Sequence, residues 1–379
     1  MRSDDDIRER LARSLQALEP PAARVEPVIR RGTSLRRRRL GIGAVVASLA
    51  VVTLFVPLVI LLPLRVGDDV SEVGPATGTG PLVVSARVPI GRGITDIVGG
   101  FGDIWITGAS GVTRVDPATA ETIAEIHVPG TGDYSRIAVG EGSVWVTAPE
   151  LRLDGSRGNL VRIDPATDEI TATIHVGGPI LDVAVGDASV WVTLPDAGMS
   201  TVFRINPKTD EVISSIEVDE GSGPLVYGDG SVWVTAQWLD GSVTRVDPVA
   251  GDVVDVLDIP NVQAVGDGSL WGVTGDAVLR MDPTSGAVQA KVPIPRAQNV
   301  AFDGSTVWVL ASPRSSDPDL FEPIARTAAV VRIDPATDRQ IGNPVALDDL
   351  QPIALTADDG AAWVIDYYDG FLSRIEPVA

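Results

Sequence analysis

Residues 183–218 read VAVGDASVWVTLPDAGMSTVFRINPKTDEVISSIEV. An alternating apolar run meets a Gly-Asp turn. A Val-Trp-Val-Thr run follows, then a loop, an Arg-Ile-Asn-Pro turn and a second alternating run. Alternation with period two, bounded by Gly, Asp and Pro, is strand chemistry. The stretch recurs. Its Trp returns as Trp105, Trp145, Trp191, Trp233, Trp271, Trp308 and Trp363. An Arg precedes each Asp-Pro-like turn: Arg114, Arg162, Arg204, Arg245, Arg280, Arg332 and Arg374. Self-similarity at roughly 37 to 55 residues, with strands throughout, predicts a propeller or array.

Each copy supplies four strands, so the expected fold is all-β, a seven-bladed β-propeller of four-stranded blades. The seventh copy stops at Ala379, before its fourth strand. Residues 82–90, LVVSARVPI, resemble the fourth strands elsewhere and precede the first Trp repeat. They are expected to complete the last blade and close the ring, which removes exposed sheet edges. The seven repeated Trp residues read as packing between blades. Each Arg and the Asp two residues on lie on one side of a strand and read as a repeated structural pair.

The 379 residues include no Cys, which excludes disulfides, thiolate metal sites and thiol nucleophiles. Residues 1–40 hold 11 Arg and 6 Asp or Glu, a net of +5, whereas residues 65–379 carry a net of −26. Nucleic acid is excluded as a partner of the large part, because phosphate contacts need basic groups. Arg36 to Arg39 stand directly before residues 40–64, a run without charge. At ~1.5 Å rise per residue this run can cross a ~30 Å hydrocarbon core. It is longer than a signal-peptide core, and Leu62, Pro63, Leu64 and Arg65 make a poor cleavage site. The expected organisation is therefore a cytoplasmic tail (1–39), a transmembrane signal anchor (40–64), a flexible linker (65–81) and the propeller (82–379). Basic residues on the N-terminal flank put that end in the cytoplasm and the propeller outside. Ile7, Leu11, Leu15 and Leu18 give the tail a short amphipathic helix that could dock a cytoplasmic partner.

The repeat units GDGSVWVT (228–235) and VRIDPATDEITATIHVG (161–177) resemble those of YVTN-type and streptogramin-lyase-like (virginiamycin B lyase-like) β-propellers. The resemblance spans about residues 82–379. It implies a bacterial, seven-bladed propeller of a group that includes lyases and extracytoplasmic sensor domains. In the lyases it implies a magnesium-dependent centre with a catalytic His. Here the only histidines, His127 and His175, fall in outermost strands, so no catalytic residue carries over.

Function is expected where the copies differ. Residues just before the first strand of a blade should ring the channel mouth: Asp96, Arg136, Asp182, Asn299 and Gln351. Tyr134, Trp238, Tyr367 and Tyr368 lie nearby, and Trp238 is off the repeat register. Polar groups with aromatics suit a small-molecule or peptide pocket. The long loop 311–328 carries Leu320, Phe321 and Glu322, candidates for a partner contact. No EF-hand loop, nucleophile elbow or phosphate loop is present, so no metal ligand or catalytic residue is assigned. The expected function is a membrane-anchored binding or sensing module, with enzymatic activity left open. Its ligand would be a small molecule, a cell-wall component or a protein. One alternative is a tethered lyase or hydrolase using mouth carboxylates and a divalent cation. Another is a structural envelope protein.

Overall fold

The structure, a computed structural model, describes residues 80–378 apart from 151–156, 197–198, 220–222, 237–240, 313–326 and 348–349. The proposed tail helix and residues 40–64 lie outside the described residues. No helix among the described residues is long and apolar enough to cross a membrane.

Twenty-eight strands form seven four-stranded antiparallel sheets. The first strand, β1 (Leu82–Pro89), belongs to the last blade. Blade 1 is β2 (Ile94–Gly100), β3 (Asp103–Gly108), β4 (Gly111–Asp116) and β5 (Glu121–Ile126). Blade 2 is β6 (Ile137–Gly140), β7 (Ser143–Glu150), β8 (Arg157–Asp164) and β9 (Glu169–His175). Blade 3 is β10 (Asp182–Gly186), β11 (Ser189–Asp196), β12 (Met199–Asn206) and β13 (Glu211–Asp219). Blade 4 is β14 (Leu225–Gly228), β15 (Ser231–Thr235), β16 (Ser242–Asp247) and β17 (Asp252–Asp258). Blade 5 is β18 (Val262–Gly266), β19 (Ser269–Val273), β20 (Ala277–Met281) and β21 (Val288–Pro293). Blade 6 is β22 (Ala297–Phe302), β23 (Val307–Ala311), β24 (Ala328–Asp334) and β25 (Arg339–Leu347). Blade 7 is β26 (Pro352–Asp358), β27 (Ala361–Asp366), β28 (Phe371–Pro377) and then β1.

The expected closure is what the chain does. β1 pairs antiparallel with β28 from Leu82 opposite Pro377 to Pro89 opposite Phe371. The innermost strands neighbour one another in a closed ring, and β26 returns to β2. One apolar cluster fills each of the seven seams between blades. Each seam holds one repeated Trp, buried to 1% exposure or less. Truncating such a Trp to Ala costs about 3–5 kcal/mol. The indole N–H of Trp105, Trp145, Trp191 and Trp233 donates to the carbonyl of the Gly five residues back, at 3.0 to 3.2 Å. In blade 6 the Trp308 indole finds Asp303 instead, at 2.8 Å.

The Gly-Asp turns have two separate causes. The turn itself is made by residues with positive φ, such as Asp187 (55°) and Ala188 (50°) in blade 3. Two successive positive φ values match the twist of a tight hairpin. The Gly before the turn answers to the next blade. A Cβ on Gly186 would sit 2.0 Å from the Tyr227 ring, and one on Gly266 2.1 Å from Phe302. Inner strands pack closely enough that a side chain of one blade occupies the Cβ space of its neighbour.

Outside blade 7 the repeated Arg bonds differently from the expectation. Each of the seven lies over the ring of its own blade's Trp, 4.9 to 5.9 Å from the centroid. Its Nε commonly donates to the residue opening the Trp strand, as Arg162 to Ser143 at 2.7 Å and Arg280 to Ser269 at 2.8 Å. Its Nη1 then crosses the seam. Arg114 reaches Asp168 at 2.9 Å, Arg162 reaches Asp210 at 3.3 Å and Arg280 reaches Asp338 at 3.3 Å, each in the following blade. The Asp two residues after the Arg serves its own turn, as Asp116 accepts from the Ala118 amide at 2.7 Å. That bond holds the Asp116 carboxyl below the usual carboxylate range. In blade 7 the expected pair does form, Arg374 bonding Glu376 at 2.8 Å, whereas in blades 1, 2 and 5 the Arg is instead a clamp to the following blade.

Candidate functional site

The residue two places after each repeated Trp marks one level of the channel, since it pairs with the start of the innermost strand. At that level Asp96 stands opposite Thr107, Asp182 opposite Thr193, Asn299 opposite Leu310 and Ala354 opposite Ile365. Arg136 joins them through Thr147, whose amide donates to its carbonyl at 2.9 Å and whose hydroxyl accepts its amide at 2.8 Å. In blade 4 Thr235 pairs with Pro224, and in blade 5 Val273 pairs with Asn261. The level is therefore charged over blades 1 to 3, apolar at blades 4 and 7, and amide at blades 5 and 6.

The carboxylates clasp neighbouring blades. Asp96 accepts the Ile97 amide through Oδ1 (2.9 Å) and the Ile137 amide of blade 2 through Oδ2 (3.1 Å). Asp182 repeats this two blades on, taking Val183 at 2.8 Å and Leu225 of blade 4 at 2.7 Å. Between blades 5 and 6 the Gln263 side chain does the same work. It accepts the Val300 amide at 2.9 Å and donates to the Gln298 carbonyl at 2.9 Å. Thr356 closes the round, accepting the Gly99 amide at 3.2 Å. Thr95, missed as a repeat-like residue, donates to the Ser135 carbonyl of blade 2 at 2.9 Å.

Each Asp keeps some exposed surface at the residue level, but its carboxyl group is deeply enclosed. Burial raises the Asp96 carboxyl despite the pull of Arg136 and of the two amides. Burial pushes Asp182 up to about 7, with Asp96 adding to the rise and Arg136 opposing it. Arg136 itself lies half-buried and donates to the Ser135 carbonyl at 3.4 Å. Thr193 is 0% exposed, and its hydroxyl has no hydrogen-bond partner among the described residues. It shares a sheet face with Asp182, as cross-strand partners do.

Of the residues expected to ring the mouth, Asp96, Arg136, Asp182 and Asn299 occupy the level just defined. Gln351 lies exposed ahead of β26, its amide donating to the Asp366 carboxylate. Tyr134 is 61% exposed, two residues before Arg136. Tyr367 and Tyr368 follow β27 and meet edge to face at 5.1 Å. Trp238, Leu320, Phe321 and Glu322 lie outside the described residues. Asn261, Gln263 and Thr193 escaped the sequence reading, because amides and hydroxyls are ordinary strand residues until a register places them.

His127 and His175 are both exposed on the rim of their blades, His175 ending β9. Among the described residues no group of three or more His, Cys, Asp or Glu is placed to hold a metal ion. The residues described do not fit the magnesium centre that the lyase resemblance implies, and no chemistry is derived through one.

These features define the class of protein: a closed seven-bladed β-propeller with a charged sector at one end of its channel. The crystal structure of the Cps50 (Swd1) β-propeller domain of Myceliophteria thermophila is similar, with a TM-score of 0.58 at 8% identity, over 79% of this chain and 100% of that one. At that identity the likeness concerns the fold alone. No family profile matches the chain, and no curated protein does.

Proposed function

We propose that this chain is a membrane-anchored, extracytoplasmic binding or sensing module whose ligand is taken at the channel mouth. One observation carries the reading: at the mouth level the sevenfold pattern breaks into an enclosed Asp96–Arg136–Asp182 sector facing amides of blades 5 and 6. Clefts with few convergent polar groups and shifted pKa values are the default binding sites of rigid scaffolds. The uncharged residues 40–64 behind Arg36–Arg39 support the anchor. The ligand would be a small molecule, a cell-wall component or a protein. The shared Trp, Arg and Asp-Pro residues are spent on seams and turns, which leaves the differing positions for recognition.

Two substitutions test this in living cells. A photo-crosslinking residue at Tyr134, beside the mouth, should capture the ligand, whereas one at Val249, 80% exposed at a turn between outer strands, should not. Equal capture from both positions, or none from Tyr134, would refute the mouth as the site. Because the chain lacks Cys, single cysteines report the topology. Val249→Cys should react with an impermeant maleimide in intact cells, and Ser14→Cys only after lysis. The reverse pattern would overturn the anchor's orientation.

The enzymatic alternative is favoured by one feature, the Asp182 carboxyl near neutrality, where general acids and bases work best. Turnover of cyclic depsipeptides by the full chain, lost in Asp182→Asn, would establish it. Absence of turnover leaves binding.

A further inference from the structure

We infer that the charged sector of the mouth recognises its ligand through a primary ammonium group, held by Asp182 and Asp96 and by the Thr193 hydroxyl. This rests on the mouth being the binding site. Two carboxylates there face one guanidinium, so the sector lacks a positive charge when both are ionised. The oxygen inventory agrees. Each carboxylate oxygen of Asp96 and Asp182 accepts one backbone amide. A carboxylate offers roughly four acceptor sites, so about two remain on each. Thr193 is an independent sign of an absent partner. It is fully buried, lies across the strand pair from Asp182 on the same face, and its hydroxyl is unbonded among the described residues. Buried polar groups ordinarily find a partner. An ammonium has three donors and no acceptor, which suits two carboxylates and a hydroxyl oxygen.

The opposite side of the channel carries no charge at this level, although the buried Asn261 Oδ1 has no hydrogen-bond partner among the described residues. Gln263 uses both ends of its amide on blade 6, and Gln298 donates to the Ser312 carbonyl. Charge thereby directs the cationic end to blades 1 to 3. Burial holds both carboxyls up, so a bound ammonium would displace a proton. The charged groups acting on Asp182 are Arg136 and Asp96, and Arg136 also acts on Asp96. The net charge of −21 favours the approach of cations over long range.

The test uses the full chain in detergent, with putrescine as probe and butanediol as its uncharged counterpart, read by calorimetry. Putrescine should bind and butanediol should not. Affinity should rise between pH ~5.5 and pH ~8, because the ammonium replaces the proton on the raised carboxyl. Asp182→Asn should weaken binding by roughly tenfold or more, as loss of a charged partner does. Thr193→Val should weaken it several-fold, with thermal unfolding confirming that both variants fold. Unchanged affinity in both variants, or equal binding of butanediol, overturns the inference. A parallel NMR screen with neutral and anionic fragments separates the two layers. If these shift mouth resonances and amines do not, the ammonium is wrong and the binding reading stands. If no compound of any charge perturbs the mouth, both fall.

Discussion

Arg114 of blade 1 bonds Asp168 of blade 2 at 2.9 Å, rather than Asp116 two residues along its own strand. The same Nη1 donates to the Pro165 carbonyl at 2.8 Å, and Nη2 holds Asp103 at 2.6 Å. One guanidinium thus joins a Trp face, its own strand opening and the next blade's turn. Where the next turn lacks the acid, the clamp changes. Blade 4 carries Gly251 at that place, and Arg204 takes the Pro248 carbonyl and its own blade's Asp187. In blade 6, Arg332 donates across the closing seam to the Gly80 carbonyl at 3.0 Å.

The clamp predicts unequal costs. Arg114→Ala leaves Asp103 (7% exposed) without its ion pair and removes the link to blade 2. A loss of about 2–3 kcal/mol is expected from stranding a mostly buried charge. Arg245→Ala should cost about 1 kcal/mol, since among the described residues it bonds the neutral Ser231, lies over the Trp233 ring and acts on the partly exposed Asp247. Urea unfolding of both variants checks the order; equal costs would contradict a clamp between blades.

Gly186 is fixed by its neighbour rather than by its turn. Gly186→Ala should cost about 1–3 kcal/mol through overpacking against Tyr227. Adding Tyr227→Ala should recover part of that loss, a coupling that a double-mutant cycle measures. Additive effects would show that the ring does not occupy the space.

The closing strand predicts loss of cooperativity. Removing residues 82–89 strips β28 of its outer partner and takes Leu82 and Val88 from two seams. The truncated chain should show rapid hydrogen exchange in β28 and a broadened thermal transition. An unchanged melt would contradict ring closure by β1.

Much of this was legible in the chain. Period-two runs, Gly-Asp turns and the fourth strand missing from the seventh copy led to seven closed blades, because strand patterning is local. The Arg partner was not legible. Asp168 is 54 residues from Arg114, and only the packing of one blade on the next brings them together. The mouth was legible in part. Asp96, Arg136 and Asp182 stand out when the copies are aligned, since charge replaces neutral residues there. Thr193 did not, because its hydroxyl sits in the shared Val-Trp-Val-Thr run; Thr107 at the matching place in blade 1 bonds Gly111, whereas Thr193 is unbonded. Gln351 was placed by counting back from β26, but strand irregularity between Pro352 and Ala354 puts Ala354 at the mouth level.

Enclosure of Asp182 sets a pH dependence. A free Asp titrates near about 3.9, and here the folded value is raised to about 7. A raised acid contributes most stability below its unfolded value and loses that contribution as pH climbs through the folded value. The group should therefore lower stability progressively between pH ~4 and ~7. Asp96 acts in the same direction. Asp182→Asn should flatten the stability profile over that window. A profile of unchanged slope would contradict the enclosure.

The most direct measurement is a carbon-13 NMR titration of the aspartate carboxyl carbons in the full chain, with Asp182→Asn to assign the signal. The account predicts one aspartate titrating at about 7, absent from the variant, with its midpoint lowered by putrescine. If every aspartate titrates in the ordinary range near about 3.9, the charged sector at the mouth is not enclosed, and the case for a ligand site there fails.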